Sequence, residues 1–143
     1  MPTELRLPIT RKEIESIILR WIDFLASDNY IEAYNLTSHD PYYGWSPDLL
    51  KNIIQEYGSP SEGEGIRCKV SDWRTALPVS SSRYRDINVF EEPIIQEGSS
   101  TVVLGEVHYD LPIDTQWSDL TATFKIRQDR DKVTLELNDI HVL

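Results

Sequence analysis

The sequence predicts an α+β domain in which three N-terminal helices pack against a strongly curved antiparallel sheet. Two observations carry this. Apolar residues recur at 3–4 spacing as far as Tyr57, and at a spacing of two from Ile66 onward. Helices all come first and strands all follow, which segregates the helices to one side of the sheet. At 143 residues the chain suits a single domain over 1–143. Residues 1–9, with Pro2 and Pro8, read as an extended lead-in.

Thr10 followed by Glu13 has the form of a capping box. Ile14, Ile17, Ile18, Trp21, Ile22 and Leu25 then share one face of a helix over about 11–26, which places Trp21 against the sheet. Ser27-Asp28-Asn29 stops it, with Ser27 or Asp28 as the cap of a short second helix over about 29–37. His39 to Trp45 reads as an aromatic loop. Ser46-Pro47 is an N-cap and first-turn pair. Leu49, Leu50, Ile53, Ile54 and Tyr57 continue it as a third helix over about 47–57, with Gly58 at C′.

Residues 59–65 form a loop. Ile66, Cys68 and Val70 alternate with Arg67, Lys69 and Ser71, giving a strand with Cys68 buried and inert on its apolar side. A bulge near Asp72 brings Trp73 into phase. Pro78 to Arg85 is a Ser-rich loop, Ile87 to Phe90 a short strand, and Thr101 to Tyr109 a longer one. Leu120, Ala122, Phe124 and Ile126, a turn at 128–131, and Val133, Leu135 and Leu137 make the clearest hairpin. A bulge around Asn138-Asp139 restores the facing of Ile140 and Val142. Such bulges curve a sheet around a helix.

Charge excludes several functions. Lys plus Arg is 14 and Asp plus Glu is 24, a net charge of −10. A nucleic-acid binder needs a basic footprint, and an anionic membrane repels an acidic chain. Apolar runs are short and no signal-peptide core opens the chain, so a cytoplasmic protein is expected. A single cysteine excludes an internal disulfide and a Cys-based zinc cage. Histidines 39, 108 and 141 lack ligand spacing, and no phosphate loop or nucleophile elbow is present, so neither metal nor cofactor is expected.

Three groups of residues are candidates for a site. Glu106, His108 and Asp110 share one face of a strand, and a histidine between two carboxylates suits acid/base work. The plainer reading is a solvated strand face, with Val107 and Tyr109 turned to the core. Tyr42, Tyr43 and Trp45 lie between Pro41 and Pro47, as a cover over the cone mouth, an exposed partner anchor, or a small core under the third helix. From Asp86 to Phe124 stand eight acids and no Lys or Arg: Asp86, Glu91, Glu92, Glu97, Glu106, Asp110, Asp114 and Asp119. Such a one-sign segment steers a cationic partner, although acidity also serves solubility. His39-Asp40 and Asp139 with His141 are weaker His–acid pairs.

After the long first helix, Leu25-Ala26-Ser27-Asp28-Asn29-Tyr30-Ile31-Glu32-Ala33-Tyr34 is similar to the opening of the nuclear transport factor 2-like superfamily. There a helix ending in a short polar turn precedes an Asp/Asn-Tyr-x-x-Ala-Tyr helix. The resemblance covers the order of elements from about residue 10 to the end. It implies a cone with a pocket between helix and sheet. It also spans isomerase-like enzymes, cyclases, dehydratases, transport adaptors and accessory domains, between which the fold does not choose. The ketosteroid isomerase pattern places a Tyr on the first helix, where this chain has Trp21 and no Tyr. The sequence therefore leads to a non-catalytic interaction or accessory domain. Its partner is a basic protein, met through Glu91 and Glu92 or through Tyr42, Tyr43 and Trp45. A toxin-neutralising immunity protein is one concrete version. A self-associating domain, in which the sheet faces of two copies pair as a dimer, is a separate reading. The alternative is a small-molecule-binding or lyase- or isomerase-type enzyme using the cone pocket, with His108, Glu106 and Asp110 as its candidate residues. A deep pocket holding those residues favours the enzyme, and a filled cone favours the interaction domain.

Overall fold

The computed structural model describes residues 2–57, 68–78, 85–95 and 101–142. Its helices are α1 (Arg11–Ala26), α2 (Tyr30–Leu36) and α3 (Pro47–Gln55). Between α2 and α3 lie the two-residue strand β1 (Ser38–His39) and a 3-10 turn (Pro41–Tyr43). The long strands follow: β2 (Arg85–Ile95), β3 (Thr101–Ile113), β4 (Gln116–Asp129) and β5 (Lys132–Val142). They form one sheet in the order β1-β5-β4-β3-β2, antiparallel except for the β1–β5 pair. The architecture is α+β, with three helices ahead of the four long strands. No described helix is long and apolar enough to cross a membrane.

Local chemistry sets the helix ends. The Thr10 hydroxyl accepts from the Glu13 amide at 3.1 Å. The capping box does not close, because the Glu13 carboxylate takes the Arg6 amide at 2.9 Å. The lead-in is thereby tied to α1. It is also tied to the sheet, since the Leu5 amide donates to the Val133 carbonyl at 2.7 Å and its side chain is buried. Asp28 does not cap α2. It occupies the C′ position of α1 at φ 58°. The Asn29 amide reaches back to the Phe24 carbonyl at 2.8 Å, and the Asp28 amide to Leu25 at 3.1 Å, the bonding pattern of a Schellman motif. Asn29 stands at the N-cap of α2 instead. Ser46 caps α3 by accepting from the Leu49 amide at 3.0 Å, with Pro47 in the first turn. The expected C′ Gly58 lies outside the described residues.

The sheet is longer than its sequence signal and its register is broken in three pairings. Thr123 pairs with Asp139 and Phe124 with Leu137, so Asn138 is the extra residue that the alternation predicts. In β2, Phe90 to Pro93 bulge out between Val89 and Ile94, extending the expected short strand to eleven residues. Leu104 is extra in β3 against β4, and the pairing shifts again between Asp110 and Pro112. Bulges bend a strand and increase its twist. Asp114 and Thr115 both have positive φ, as a two-residue I′ hairpin turn between β3 and β4 requires.

The strand expected over 66–71 does not form among residues 68–71. Val70 makes one bridge to Ile113, and the chain then turns at 73–75 in place of a bulge near Asp72. Single bonds hold this segment, such as Ser71 amide to Pro112 carbonyl at 2.8 Å. Its neighbour is the end of the β3–β4 hairpin, where the Asp114 amide donates to the Lys69 carbonyl at 2.9 Å. Cys68 is half-buried, and its thiol donates to the Tyr57 carbonyl at 2.8 Å.

Between α1 and the sheet, Ile14, Ile18, Trp21, Ile22 and Leu25 face Val107, Tyr109, Ala122, Phe124, Ile126, Leu135 and Leu137, all buried. Trp21 has no exposed surface. Each large apolar side chain buried in this way contributes about 1.5–3 kcal/mol.

Candidate functional site

The inner face of the sheet is filled. Trp21, Tyr109 and Phe124 are the largest fully buried side chains, packed among branched aliphatics from α1, β3, β4 and β5. Tyr109 reaches its polar end out of this core, and its hydroxyl donates to the Glu15 carboxylate on α1 at 3.0 Å. Burial first, then that carboxylate, pushes the phenol up to about 12, with Arg85 opposing.

Val107 and Tyr109 point inward, so Glu106, His108 and Asp110 belong to the opposite, outer face. Glu106 is exposed and stands across from Lys125. His108 is half-buried, across from Thr123. Asp110 is buried and accepts the Thr121 hydroxyl at 2.8 Å. The three therefore share a strand face, and that face turns away from the packed core.

The outer face carries further polar pairs. Asp139 accepts from Thr123 and from His141 Nδ1, the latter at 2.8 Å. Arg127 and Glu136 form a two-point ion pair, Nε to Oε2 at 2.9 Å and Nη2 to Oε1 at 3.0 Å. Glu136 also accepts from the Asn138 amide nitrogen at 3.0 Å and is 7% exposed. Sequence reasoning missed this pair. The signal was available, because the hairpin pairs Lys125 with Glu136 and so makes Arg127 a diagonal neighbour.

The aromatic loop divides. Trp45 is buried and its indole N–H donates to the Asn138 carbonyl at 3.0 Å, so it anchors the loop to β5. Tyr43 is half exposed and lies 6.2 Å from the Trp45 ring. Tyr42 is 95% exposed. His39 stacks on Tyr34, ring centroids 3.9 Å apart and 10° from parallel. Burial lowers its pKa, opposed by the Tyr34 carbonyl and by Glu136.

The acidic stretch also divides. Asp110 is buried, the Asp114 carboxylate accepts from the Lys69 amide at 3.1 Å, and Asp119 accepts from the Tyr57 hydroxyl. Glu97 lies outside the described residues. Asp86, Glu91 and Glu92 remain exposed on β2, the last strand in the sheet order. Glu91 and Glu92 sit in the protruding bulge, next to exposed Ile94 and Ile95.

No family model, no curated protein and no solved structure matches this chain.

Clefts open on the surface among the described residues. One, of about 350 Å³, lies between α1 and the turn at Trp73-Arg74. Arg74 pins that turn through a two-point pair to Asp23 at 2.9 and 3.0 Å, with its guanidinium 4.5 Å over the Trp73 ring. Another, of about 340 Å³, lies between the 3-10 turn and the outer face of β4 and β5, and is lined by Asp40, Tyr42, Lys125, Arg127 and Glu136. Among the described residues, no three His, Cys, Asp or Glu side chains converge as a metal set.

Proposed function

We propose that this chain is a non-catalytic protein-interaction domain of the nuclear transport factor 2-like type, which docks a basic partner on the β2 bulge. The observation that carries the reading is the pair Glu91 and Glu92. Both are exposed on a protruding bulge of a terminal strand, and neither has an ion-pair partner among the described residues. Ile94 and Ile95, 55% and 76% exposed, supply an apolar contact beside them. A cationic surface with an apolar centre is complementary to both features. The packed inner face supports the same reading, because the interior of α1 and the sheet is occupied by core side chains. The bulge, Pro93 and the acids also blunt the edge against strand addition. Like charge on both edges works against two copies pairing through β2. An immunity-type role, with a basic toxin as partner, is one version of this function.

The test is a comparison of immobilised baits: the wild-type chain, a Glu91→Lys/Glu92→Lys variant and a Tyr42→Ala variant. A basic protein retained by the wild type and by Tyr42→Ala, and lost with the charge-reversed bait, supports the reading. Equal retention on all three baits refutes it.

A further inference from the structure

The aromatic loop plays no part in the β2 reading, yet it builds the wall of a cleft. Asp40, Pro41 and Tyr42 lean over the outer face of the sheet, where Lys125, Arg127 and Glu136 form the floor. The wall is fastened in three places. The Asp40 amide donates to the Leu137 carbonyl at 2.9 Å, the Ser38 hydroxyl lies 3.1 Å from that of Thr134, and the Trp45 indole holds the Asn138 carbonyl. The volume of this open cleft, about 340 Å³, lies within the range of small-molecule sites.

The charges in this cleft do not all cancel in pairs. Arg127 and Glu136 satisfy one another in a two-point pair, and Arg127 also donates to the Thr101 hydroxyl at 3.1 Å. Lys125 is half-buried and has no ion-pair partner among the described residues, although Glu106 and Glu136 are its cross-strand neighbours. Among the described residues, the Asp40 carboxylate accepts only the Tyr42 amide, at 2.9 Å, and faces no cation within ion-pair distance. One cation and one anion are thus left over in the same small cleft, beside a phenol ring that is 95% exposed. A purely anionic ligand would meet Asp40 and Glu136, and a purely cationic one would meet Lys125 and Arg127. A ligand bearing both charges meets an opposite charge at each end.

We propose that the cleft between the 3-10 turn and β4–β5 binds a small zwitterion of the amino-acid class, its carboxylate on Lys125, its ammonium on Asp40 and its side chain against Tyr42. The proposal does not depend on the β2 interface, which lies at the opposite end of the sheet order.

Calorimetric titration of the full chain with phenylalanine, phenylalaninamide and N-acetylphenylalanine separates the two charges, since each derivative lacks one of them. The expected result is saturable binding of the free amino acid, with each derivative weaker by about tenfold or more. Lys125→Met, which keeps the aliphatic stem, should weaken phenylalanine by about tenfold and leave the amide unchanged. Asp40→Asn, which keeps an acceptor for the Tyr42 amide, should do the converse with the N-acetyl form. Thermal unfolding at the wild-type temperature shows that the variants are folded. Binding of N-acetylphenylalanine equal to that of phenylalanine would mean a simple anion site and would overturn the proposal. So would binding unaffected by Lys125→Met, or no saturable binding of phenylalanine, leucine or glycine to the wild-type chain.

Discussion

The indole of Trp21 on α1 meets the ring of Phe124 on β4 edge-on, with centroids 5.1 Å apart and planes at 83°. This contact occupies the space between the first helix and the sheet. The Trp21 indole N–H is buried there without a hydrogen-bond acceptor among the described residues. Trp21 is therefore a packing residue that tolerates an unmet donor.

Trp21→Ala and Phe124→Ala should each cost about 3–5 kcal/mol in denaturant unfolding, as large aromatic-to-alanine changes in a core do. Trp21→Phe should cost much less, because it keeps a ring against Phe124 and removes a buried donor whose isolation costs about 1–3 kcal/mol. A Trp21→Phe variant as unstable as Trp21→Ala would contradict this account of the contact.

Gly105, at the β2–β3 pairing, stands where a side chain has no room. A Cβ there would press on the Asn88 carbonyl oxygen across the strand and lie 2.9 Å from Ile126 Cδ1. The oxygen is backbone and cannot swing aside. Gly105→Ala should lower stability by about 1–3 kcal/mol, as overpacking does, and thermal melts will read it. An unchanged melting temperature would mean that the two strands separate at no cost.

Much of this fold was legible because its signals are periodic. The α1 stripe shows through its 3–4 spacing, and the Asn138 bulge through the broken parity between Leu137 and Ile140. The common face of Glu106, His108 and Asp110 follows from the same alternation. The full length of β2 was hidden, because Glu91-Glu92-Pro93 breaks the pattern where the chain bulges. Asp28 has the chemistry of an N-cap, and only its left-handed backbone reveals a C′ residue. Nothing in Tyr42, Tyr43 and Trp45 distinguishes anchor from exposed ring. The loop's attachment to β5 does so, and that is a tertiary fact.

The Arg127–Glu136 pair leads to a third prediction. With side chains 17% and 10% exposed, the pair is largely withdrawn from water. Removing one partner leaves the other charge uncompensated, so Glu136→Ala should destabilise by about 3–5 kcal/mol. Replacing both by methionine should restore most of that loss. A double variant as unstable as Glu136→Ala would show that the cost lies elsewhere.

Stability should also depend on pH through His39. Its pKa is lowered from 6.5 by burial against Tyr34, so the folded protein holds this proton less tightly than the unfolded chain does. The neutral ring's contribution is present above pH 6.5 and is lost as pH falls through the lower, folded value. Melting temperatures measured on either side of pH 6.5 should fall toward acid, and His39→Gln should flatten that part of the profile. An identical slope in the variant would remove His39 as the cause.

The central claim is that the β2 bulge recruits a basic partner by charge. The association rate of that partner with the Glu91→Lys/Glu92→Lys variant, measured at low and high salt, tests it most directly. Exposed charges steer encounter and are screened over about 8 Å near physiological salt. The account predicts a rate slowed severalfold at low salt, a difference that closes as salt rises, and unfolding behaviour close to wild type. An association rate equal to wild type at low salt would contradict it.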